Sequence, residues 1–409
     1  MVSQSTGLPV AADFASPPSS GDLERWAEAD RALRPARVDR LRARFETPGV
    51  EAYFGVRREN TRYITGFVLG EGEEKVAGHS GQFLVGAADV VVLVDSRYTI
   101  QAGREAIGAR IEDIGYDLPA AWPGLCASIG AKRVAVESGF VPYALWRRLE
   151  AAAPDVELVP IENWIEADRE VKEATEIERI AASCAVADRA LATLLPEIRP
   201  GTTERELALR LEWLLRTGGA EAVAFDPTCL AGPNAALPHG SPGDEVVTEG
   251  SVLLFDFGAQ VAGYRSDMTR TLFVGEPGER DAAVYGLVAA AQAAAITQLE
   301  AVVGGELELP SGRDLDALAR GVIEADGRWP AYRHGLGHGI GLATHERPSL
   351  SRSAPDGTLP SPTVFSVEPG IYLEDEVGVR IEDLVHLDAG AGRVERLTSF
   401  PSDPLVVGG

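Results

Sequence analysis

Cysteine is scarce in this sequence. The 409 residues include only three cysteines, Cys126, Cys184 and Cys229. Their odd number and wide spacing fit neither a disulfide framework nor a Cys-x-x-Cys zinc site, which favours a reducing compartment.

Basic residues are outnumbered by acidic ones. The chain has 38 lysines and arginines against 62 aspartates and glutamates, which gives a net charge of −24. Because phosphate binding requires a basic face, this charge argues against a nucleic-acid partner.

Targeting and membrane-spanning segments are not evident either. The N-terminal residues lack the basic region and apolar run of a signal peptide, and inspection finds no run of about 18 apolar residues. We therefore expect a cytoplasmic protein without a membrane partner.

The length of the chain indicates two domains, and 45% apolar residues are ample for two cores. Residues 1–20 are rich in Ser, Pro and Ala and predict a flexible tail. Residues 21–165 alternate strands with helices, which predicts a three-layer α/β domain. Residues 166–409 are expected to form a second domain, in which the order helix, helix, strands occurs twice and hints at two related halves.

The segment 334–346 (HGLGHGIGLATHE) concentrates three of the six histidines among four glycines. Clustered imidazoles suggest a metal site or proton transfer, and the glycines suggest close backbone approach to a bound molecule. The alternative is a flexible loop with incidental histidines. Because Ser349 stands where a second histidine would be needed, a His-Glu-x-x-His zinc protease is a poor fit. The glycine spacing also differs from that of a dinucleotide site.

Two aspartates lie on successive apolar strands. Asp256 interrupts the run 252–258, where a lone buried carboxylate would cost several kcal/mol without compensation. Asp267 follows eleven residues later, and a two-residue turn at 261–262 would place it directly across from Asp256. The alternative is one structural and one surface aspartate.

Two glutamates repeat this pattern downstream. Glu368 follows the apolar strand 364–367, and Glu382 shares one face of the predicted strand 378–383 with Arg380. Each could be an ordinary ion-paired strand. Four carboxylates with one histidine nevertheless suit two hard divalent ions, with manganese favoured over zinc on ligand type. Such a pair can hold a bridging hydroxide as nucleophile, which predicts metal-assisted amide hydrolysis.

These residues resemble the motifs of the pita-bread metallopeptidases, and within them the Xaa-Pro branch of aminopeptidase P and prolidase. The motifs are Asp256 with Asp267, HGLGHGIG at 334–341, EPGIY at 368–372, GVRIED at 378–383, and, with lower specificity, NTRYITGF at 60–67 and VDSRY at 94–98. The resemblance covers residues 30–405. It implies an α+β fold, with a pita-bread catalytic domain preceded by a smaller α/β domain.

The resemblance also implies a role for each matching residue. The metal ligands would be Asp256, Asp267, His338, Glu368 and Glu382, with Asp267 and Glu382 bridging two divalent ions. Manganese is favoured, with cobalt or zinc as alternatives. Glu368 would also be the general base.

Other residues would act on the substrate. His239 would stabilise the tetrahedral intermediate or the leaving amine, although it could also be an ordinary turn histidine. His345 would contact the substrate carbonyl or a proline carboxylate, and His334 would line the pocket after the scissile bond. Arg380 would orient Glu382 or pair with a substrate carboxylate. His79 and His386 match nothing in the family and are expected to be surface or packing residues.

The predicted function is therefore hydrolysis of the bond between an N-terminal residue and a following proline, by a homodimer. Departures from the family are small: Thr344 replaces a branched apolar residue, and an acidic segment at 374–376 replaces a neutral turn. The alternatives are a metal-dependent lyase or organophosphate hydrolase of the same fold, a metal-free creatine hydrolase, and a catalytically silent peptide-binding module.

Overall fold

The computed structural model describes residues 7–70 and 80–408. His79 lies outside the described residues. The chain divides into two compact units, one formed by Glu24–Asp168 and the other by Met1–Leu23 with Arg169–Gly409. We call them the N-terminal unit and the C-terminal unit.

The N-terminal unit is built on a single mixed sheet. Its strands are β1 (Ala52–Gly55), β2 (Gln82–Gly86), β3 (Val90–Val94), β4 (Arg110–Asp113), β5 (Arg133–Glu137) and β6 (Glu157–Ile161). Its helices are α1 (Ser20–Ala43), α2 (Arg58–Thr65), α3 (Thr99–Glu105), α4 (Leu118–Ile129) and α5 (Tyr143–Ala152), and α6 (Trp164–Glu170) follows them. The strand order is β4-β3-β2-β1-β5-β6, with β1 antiparallel to β2 and parallel to β5.

Side chains of the central strand β1 alternate between the two faces of this sheet. Phe54 packs edge-on against Trp122 of α4, with ring centroids 5.0 Å apart, in a cluster that includes Leu149 of α5. Tyr53 points the other way and stacks on Trp164 at 6.0 Å. Helices therefore cover both faces, as the alternation of strands and helices predicted.

The C-terminal unit contains four long helices and several small sheets. Its helices are α7 (Ala174–Leu194), α8 (Glu204–Thr217), α9 (Glu279–Val303) and α10 (Gly312–Asp326). Its strands are β7 (Ala222–Val223), β8 (Thr228–Ala231), β9 (Val252–Phe257), β10 (Ala259–Val261), β11 (Tyr264–Arg265), β12 (Met268–Val274), β13 (Gly337–Gly339), β14 (Glu346–Leu350), β15 (Thr363–Val367), β16 (Gly370–Leu373), β17 (Val377–Arg380), β18 (Asp383–Asp388), β19 (Arg393–Arg396) and β20 (Leu405–Val407).

Two helix pairs pack on two main sheets of this unit. The pair α7 and α8 contacts β8, β10 and β11, near the sheet ordered β20-β12-β9-β8. The pair α9 and α10 contacts β14, β15 and β17, next to the sheet ordered β14-β13-β15-β18-β19. A capping box opens α8, because Thr203 Oγ1 accepts from Glu206 N at 3.2 Å while the Glu206 carboxylate accepts from Thr203 N at 2.9 Å.

The hairpin that carries the two aspartates has a different register from the predicted one. Asp256 pairs with Thr269 rather than with Asp267, because the turn lies at Ala262–Gly263 and not at 261–262. Both turn residues have positive φ, 47° and 86°, as a two-residue hairpin of matching twist requires. The shift of two residues leaves Asp267 on the same face of the hairpin as Asp256.

The predicted strand 378–383 is also interrupted. β17 ends at Arg380 and β18 begins at Asp383, so Glu382 lies in the connection between them. Its backbone N–H donates to the carbonyl oxygen of Thr269 at 3.1 Å, which attaches this connection to β12.

Helix α9 is, by length and composition alone, apolar enough to cross a membrane. This differs from the expectation that the chain has no such segment. Its buried residues, including Val284, Val288 and Leu299, belong to the hydrophobic core that also contains Leu315 of α10 and Phe365 of β15. One face of the helix is apolar because it packs into this core.

Part of the predicted tail contacts the C-terminal unit. Phe14 stacks on Phe400 with ring centroids 5.8 Å apart. The Arg189 guanidinium donates to the carbonyl oxygens of Ala11 and Phe14 at 2.5 and 3.3 Å. These contacts join residues 11–14 to helix α7.

Candidate functional site

A cavity of about 550 Å³ lies within the C-terminal unit. All the site residues predicted from the sequence line it: His239, Asp256, Asp267, His334, His338, His345, Glu368, Arg380 and Glu382. This lining comes from five strands or the connections next to them, namely β9, β12, β13, β15 and β17. Residues far apart in sequence are thus brought together in one cavity.

Three of the predicted metal ligands converge closely. One atom each of Asp267, His338 and Glu382 lie within 4.8 Å of one another. His338 Nε2 is 3.7 Å from Asp267 Oδ2 and 3.4 Å from Glu368 Oε1. Its other ring nitrogen, Nδ1, lies 3.0 Å from the Gly339 carbonyl oxygen. Because a carbonyl only accepts, Nδ1 carries the proton of the neutral ring, and the lone pair of Nε2 faces the carboxylates.

The carboxylates of this cluster are buried and incompletely hydrogen-bonded. Asp267 is 5% exposed and Glu382 only 1%. Within the part of the chain that the structure describes, Asp256 Oδ1, Asp267 Oδ1 and Glu382 Oε1 accept no hydrogen bond. Buried ionised oxygens without partners are costly, and divalent cations are one form of compensation. The donor set of carboxylates and one imidazole therefore fits hard divalent metal ions.

Electrostatics within the cluster agree with this interpretation. Burial, followed by the negative charge of Glu382, raises the pKa of Asp267 well above its usual range. Burial, followed by the charges of Glu368 and Asp256, does the same to the pKa of Glu382. Burial also raises the pKa of Glu368. The protein thus holds like charges together out of water, which a bound cation would offset.

Thr269 is a site residue that the sequence analysis missed. Its hydroxyl donates to Glu382 Oε2 at 2.7 Å and accepts from Arg380 Nε at 2.9 Å. The residue lies two positions after Asp267 on β12 and opposite Asp256. With the correct hairpin register, the alternation of side chains would have placed it beside the aspartates.

Arg380 is bound to Asp256. Its Nη2 lies 2.5 Å from Asp256 Oδ2, and both side chains are mostly buried. Arg380 was expected either to orient Glu382 or to pair with a substrate carboxylate. The observed connection between them runs through Thr269, whose hydroxyl contacts both.

His334 and Arg380 are linked through Tyr372. Arg380 Nη1 donates to Tyr372 Oη at 3.0 Å, and that hydroxyl lies 3.0 Å from His334 Nε2. Since His334 Nδ1 contacts the Gly335 carbonyl at 2.7 Å, Nδ1 is the donor and Nε2 accepts from the tyrosine. Tyr372 belongs to the EPGIY motif but carried no predicted role.

The two glycines of β13 leave no room for a side chain, because the backbone of neighbouring segments lies too close. A Cβ atom on Gly337 would lie 1.9 Å from the Ser366 carbonyl oxygen, and one on Gly339 would lie 2.0 Å from the Arg347 carbonyl oxygen. Close backbone approach was predicted, but to a bound molecule. At these two positions the approach is to protein backbone, which brings β13 and His338 tightly between β14 and β15.

The segment after β13 is held by a buried ion pair. The Glu346 carboxylate contacts the guanidinium of Arg169, and its Oε1 accepts from the Ala343 backbone N–H at 2.8 Å. The adjacent His345 ring lies 4.3 Å from that of His338, centroid to centroid. His386 lies on β18, buried and outside the cavity lining.

Comparison with known proteins gives consistent matches over most of the chain. Residues 178–389 match the model of metallopeptidase family M24, and residues 37–171 match the creatinase/prolidase N-terminal domain. The chain is 32% identical over 372 residues to the uncharacterized peptidase YqhT of Bacillus subtilis (strain 168), which covers 91% of this chain and 100% of that protein.

The solved structures of two relatives are similar to this chain over most of its length. A Xaa-Pro dipeptidase from Bacillus anthracis has a TM-score of 0.82 at 30% identity, covering 91% of this chain and 100% of that one. An X-Pro aminopeptidase from Thermotoga maritima MSB8 has a TM-score of 0.76 at 34% identity, covering 88% and 98%. The predicted fold class, a pita-bread domain preceded by a smaller N-terminal α/β domain, is confirmed.

Proposed function

The chain belongs to metallopeptidase family M24, and we propose that it hydrolyses the peptide bond between an N-terminal residue and a following proline. The prediction of a metallopeptidase is confirmed by this membership, which also implies divalent metal ions. The proposal adds two ions per chain, with manganese favoured, and a cytoplasmic homodimer. The similar solved structures include a Xaa-Pro dipeptidase and an X-Pro aminopeptidase.

The observation that carries the proposal is the convergence of buried carboxylates with unpartnered oxygens around His338. Asp267, His338 and Glu382 would hold metal, with Asp256 and Glu368 as further ligands from the same cavity. Bound divalent ions supply activation of a water molecule and polarisation of the scissile carbonyl. Four carboxylates offer more negative charge than one ion needs, which supports a pair of ions.

Glu368 is the candidate general base. Its carboxyl lies 3.4 Å from His338 Nε2 and accepts a hydrogen bond from Ser366 Oγ at 3.0 Å. Burial raises the pKa of this carboxyl. A raised pKa suits a group that takes a proton from water near neutral pH and later returns it to the leaving amine.

Arg380 and His334, which Tyr372 links by hydrogen bonds, line the side of the cavity that would hold proline. Arg380 offers a fixed cation, and a guanidinium fork is suited to bind a carboxylate. Proline after the scissile bond presents no peptide N–H, so its recognition has to come from ring shape and from its carboxylate. His239 and His345 line the same cavity and are proposed to contact the scissile carbonyl and the leaving amine.

The test is a panel of Xaa-Pro dipeptides and Xaa-Pro-Xaa tripeptides, assayed with the manganese-loaded protein. Matched Pro-Xaa and Xaa-Ala peptides serve as controls, because they retain length and charge while moving or removing proline. The proposal predicts cleavage of the Xaa-Pro bond and little cleavage of the controls. Equal cleavage of Xaa-Ala peptides, or none of any peptide at saturating manganese, would contradict it.

A further inference from the structure

Two walls of the cavity are joined by hydrogen bonds that no catalytic role accounts for. One wall carries Phe225 and Asp226, directly after Ala224, and the other carries His345, directly after Thr344. The side chain of Arg265 lies between them. Thr344 lines the cavity itself, and Ala224 directly precedes the lining residue Phe225, so the spacing of the two walls affects what fits inside.

The contacts form a closed triangle. Arg265 Nη1 donates to the Ala224 carbonyl oxygen at 2.7 Å and to Thr344 Oγ1 at 3.1 Å. The Thr344 hydroxyl in turn donates to the same Ala224 carbonyl at 3.3 Å. Ala224 and Thr344 are 3% and 7% exposed, so these bonds form away from bulk water.

The triangle is attached to backbone on both sides. The backbone N–H of Arg265 donates to the Gly341 carbonyl oxygen at 2.9 Å, on the wall that carries His345. The backbone N–H of Ala224 donates to the Gly258 carbonyl oxygen at 2.9 Å, next to β9 and its ligand Asp256. The side-chain bonds of Arg265 and Thr344 thus connect two walls that are separately anchored.

We infer that Arg265 and Thr344 are positioning residues that act as a clamp, defined as the Arg265–Thr344–Ala224 triangle, and hold the two walls at the separation that substrate binding requires. A branched apolar residue at 344 has nearly the same shape as threonine but neither donates nor accepts, so it cannot close the triangle. The inference rests on the proposed function for the identity of the substrate, but the clamp itself is a property of the walls.

The test compares Thr344→Val with Thr344→Ser. Valine preserves the shape and removes the hydroxyl, whereas serine keeps the hydroxyl. Loss of one buried hydrogen bond predicts that Thr344→Val raises KM for Xaa-Pro peptides about fivefold while kcat changes less than twofold. Thr344→Ser is expected to restore KM to within about twofold of the unchanged protein.

A double substitution tests the coupling directly. Arg265→Met raises KM by at least as much as Thr344→Val, and adding Thr344→Val to it has little further effect because the triangle is already open. Calorimetric titration of the metal-free variants with manganese is the control for damage to Asp267, two residues from Arg265. The clamp predicts unchanged manganese affinity.

Amide hydrogen exchange gives a readout independent of activity. Opening the clamp should accelerate exchange in the segments 222–228 and 341–346 in Thr344→Val but not in Thr344→Ser. The inference is overturned if Thr344→Val leaves KM and amide exchange unchanged, or if the effects of Arg265→Met and Thr344→Val on KM multiply in the double variant. It is also overturned if manganese affinity falls together with the rise in KM. Absence of Xaa-Pro cleavage by the unchanged protein would refute the proposed function, and the exchange comparison would still decide the clamp.

Discussion

Removing the hydroxyl of Thr269 tests how the cluster of ligands is held in place. Thr269→Val keeps the shape of the side chain but deletes two hydrogen bonds, to Glu382 Oε2 at 2.7 Å and from Arg380 Nε at 2.9 Å. Each bond has a charged partner, and such bonds contribute about 1.5–3 kcal/mol. The lower end of that range gives about 3 kcal/mol for the pair, which corresponds to about a hundredfold.

We therefore expect Thr269→Val to weaken manganese binding or to lower kcat/KM for a Xaa-Pro dipeptide by about a hundredfold. Manganese binding is measured by titration calorimetry of the metal-free protein, and kcat/KM by steady-state hydrolysis at saturating metal. The loss should appear in one or both, because Glu382 is both a proposed ligand and the partner that Thr269 orients.

Thr271→Val is the matched control, two residues along the same buried strand. The Thr271 hydroxyl donates to the Arg380 carbonyl oxygen at 2.9 Å and accepts from the Arg380 N–H at 3.1 Å, so both partners are neutral backbone groups. This variant should lower the free energy of unfolding by about 1–3 kcal/mol while manganese affinity stays within about threefold. Unchanged metal affinity and unchanged kcat/KM in Thr269→Val would refute the reasoning.

Two further predictions concern groups around the site. Burial raises the pKa of Asp188 to about 6, where its carboxyl accepts from the backbone N–H groups of Ser399 and Phe400. Because the folded pKa lies above the unfolded one, the stabilising contribution is complete below pH 4 and is lost as the pH rises through 6. Asp188→Asn should remove about 2–3 kcal/mol of this pH dependence, measured as unfolding free energy against pH, and an unchanged slope would contradict the assignment. Arg380→Lys keeps the charge but cannot contact Asp256, Thr269 and Tyr372 together, so kcat/KM should fall at least about tenfold, and a drop smaller than twofold would argue that these contacts do not position the site.

The four carboxylates of the candidate site could be predicted from the sequence because acids that interrupt apolar strands are conspicuous, whereas the roles of the histidines come from the resemblance to the family. A buried acid on a strand such as 252–257 needs compensation, and that requirement is visible without coordinates. Thr269 and Tyr372 were missed because hydroxyl residues on strands are common and need no special explanation. Their importance depends on which atoms they meet, which the sequence pattern does not contain.

The hairpin register illustrates a second limit. Ala262 has a φ of 47°, a conformation that alanine seldom adopts, but it is a central residue of either turn. The residue that separates the two is Gly263, which adopts positive φ easily, whereas a turn at 261–262 would need positive φ at the β-branched Val261. The short strands β1 and β4 were also missed, since four residues give little periodicity. Longer elements such as α9, Glu279–Val303, are easier to predict because many residues contribute to the pattern.

The most direct test of the account is the number of metal ions that activity requires. The metal-free protein is titrated with manganese while bound metal and Xaa-Pro hydrolysis are both followed, in parallel with Asp267→Ala and Glu382→Ala. The account predicts two ions per chain, hydrolysis that rises with their occupancy, and loss of both in the two variants. One ion at full activity, activity without metal, or activity that survives either substitution would contradict it.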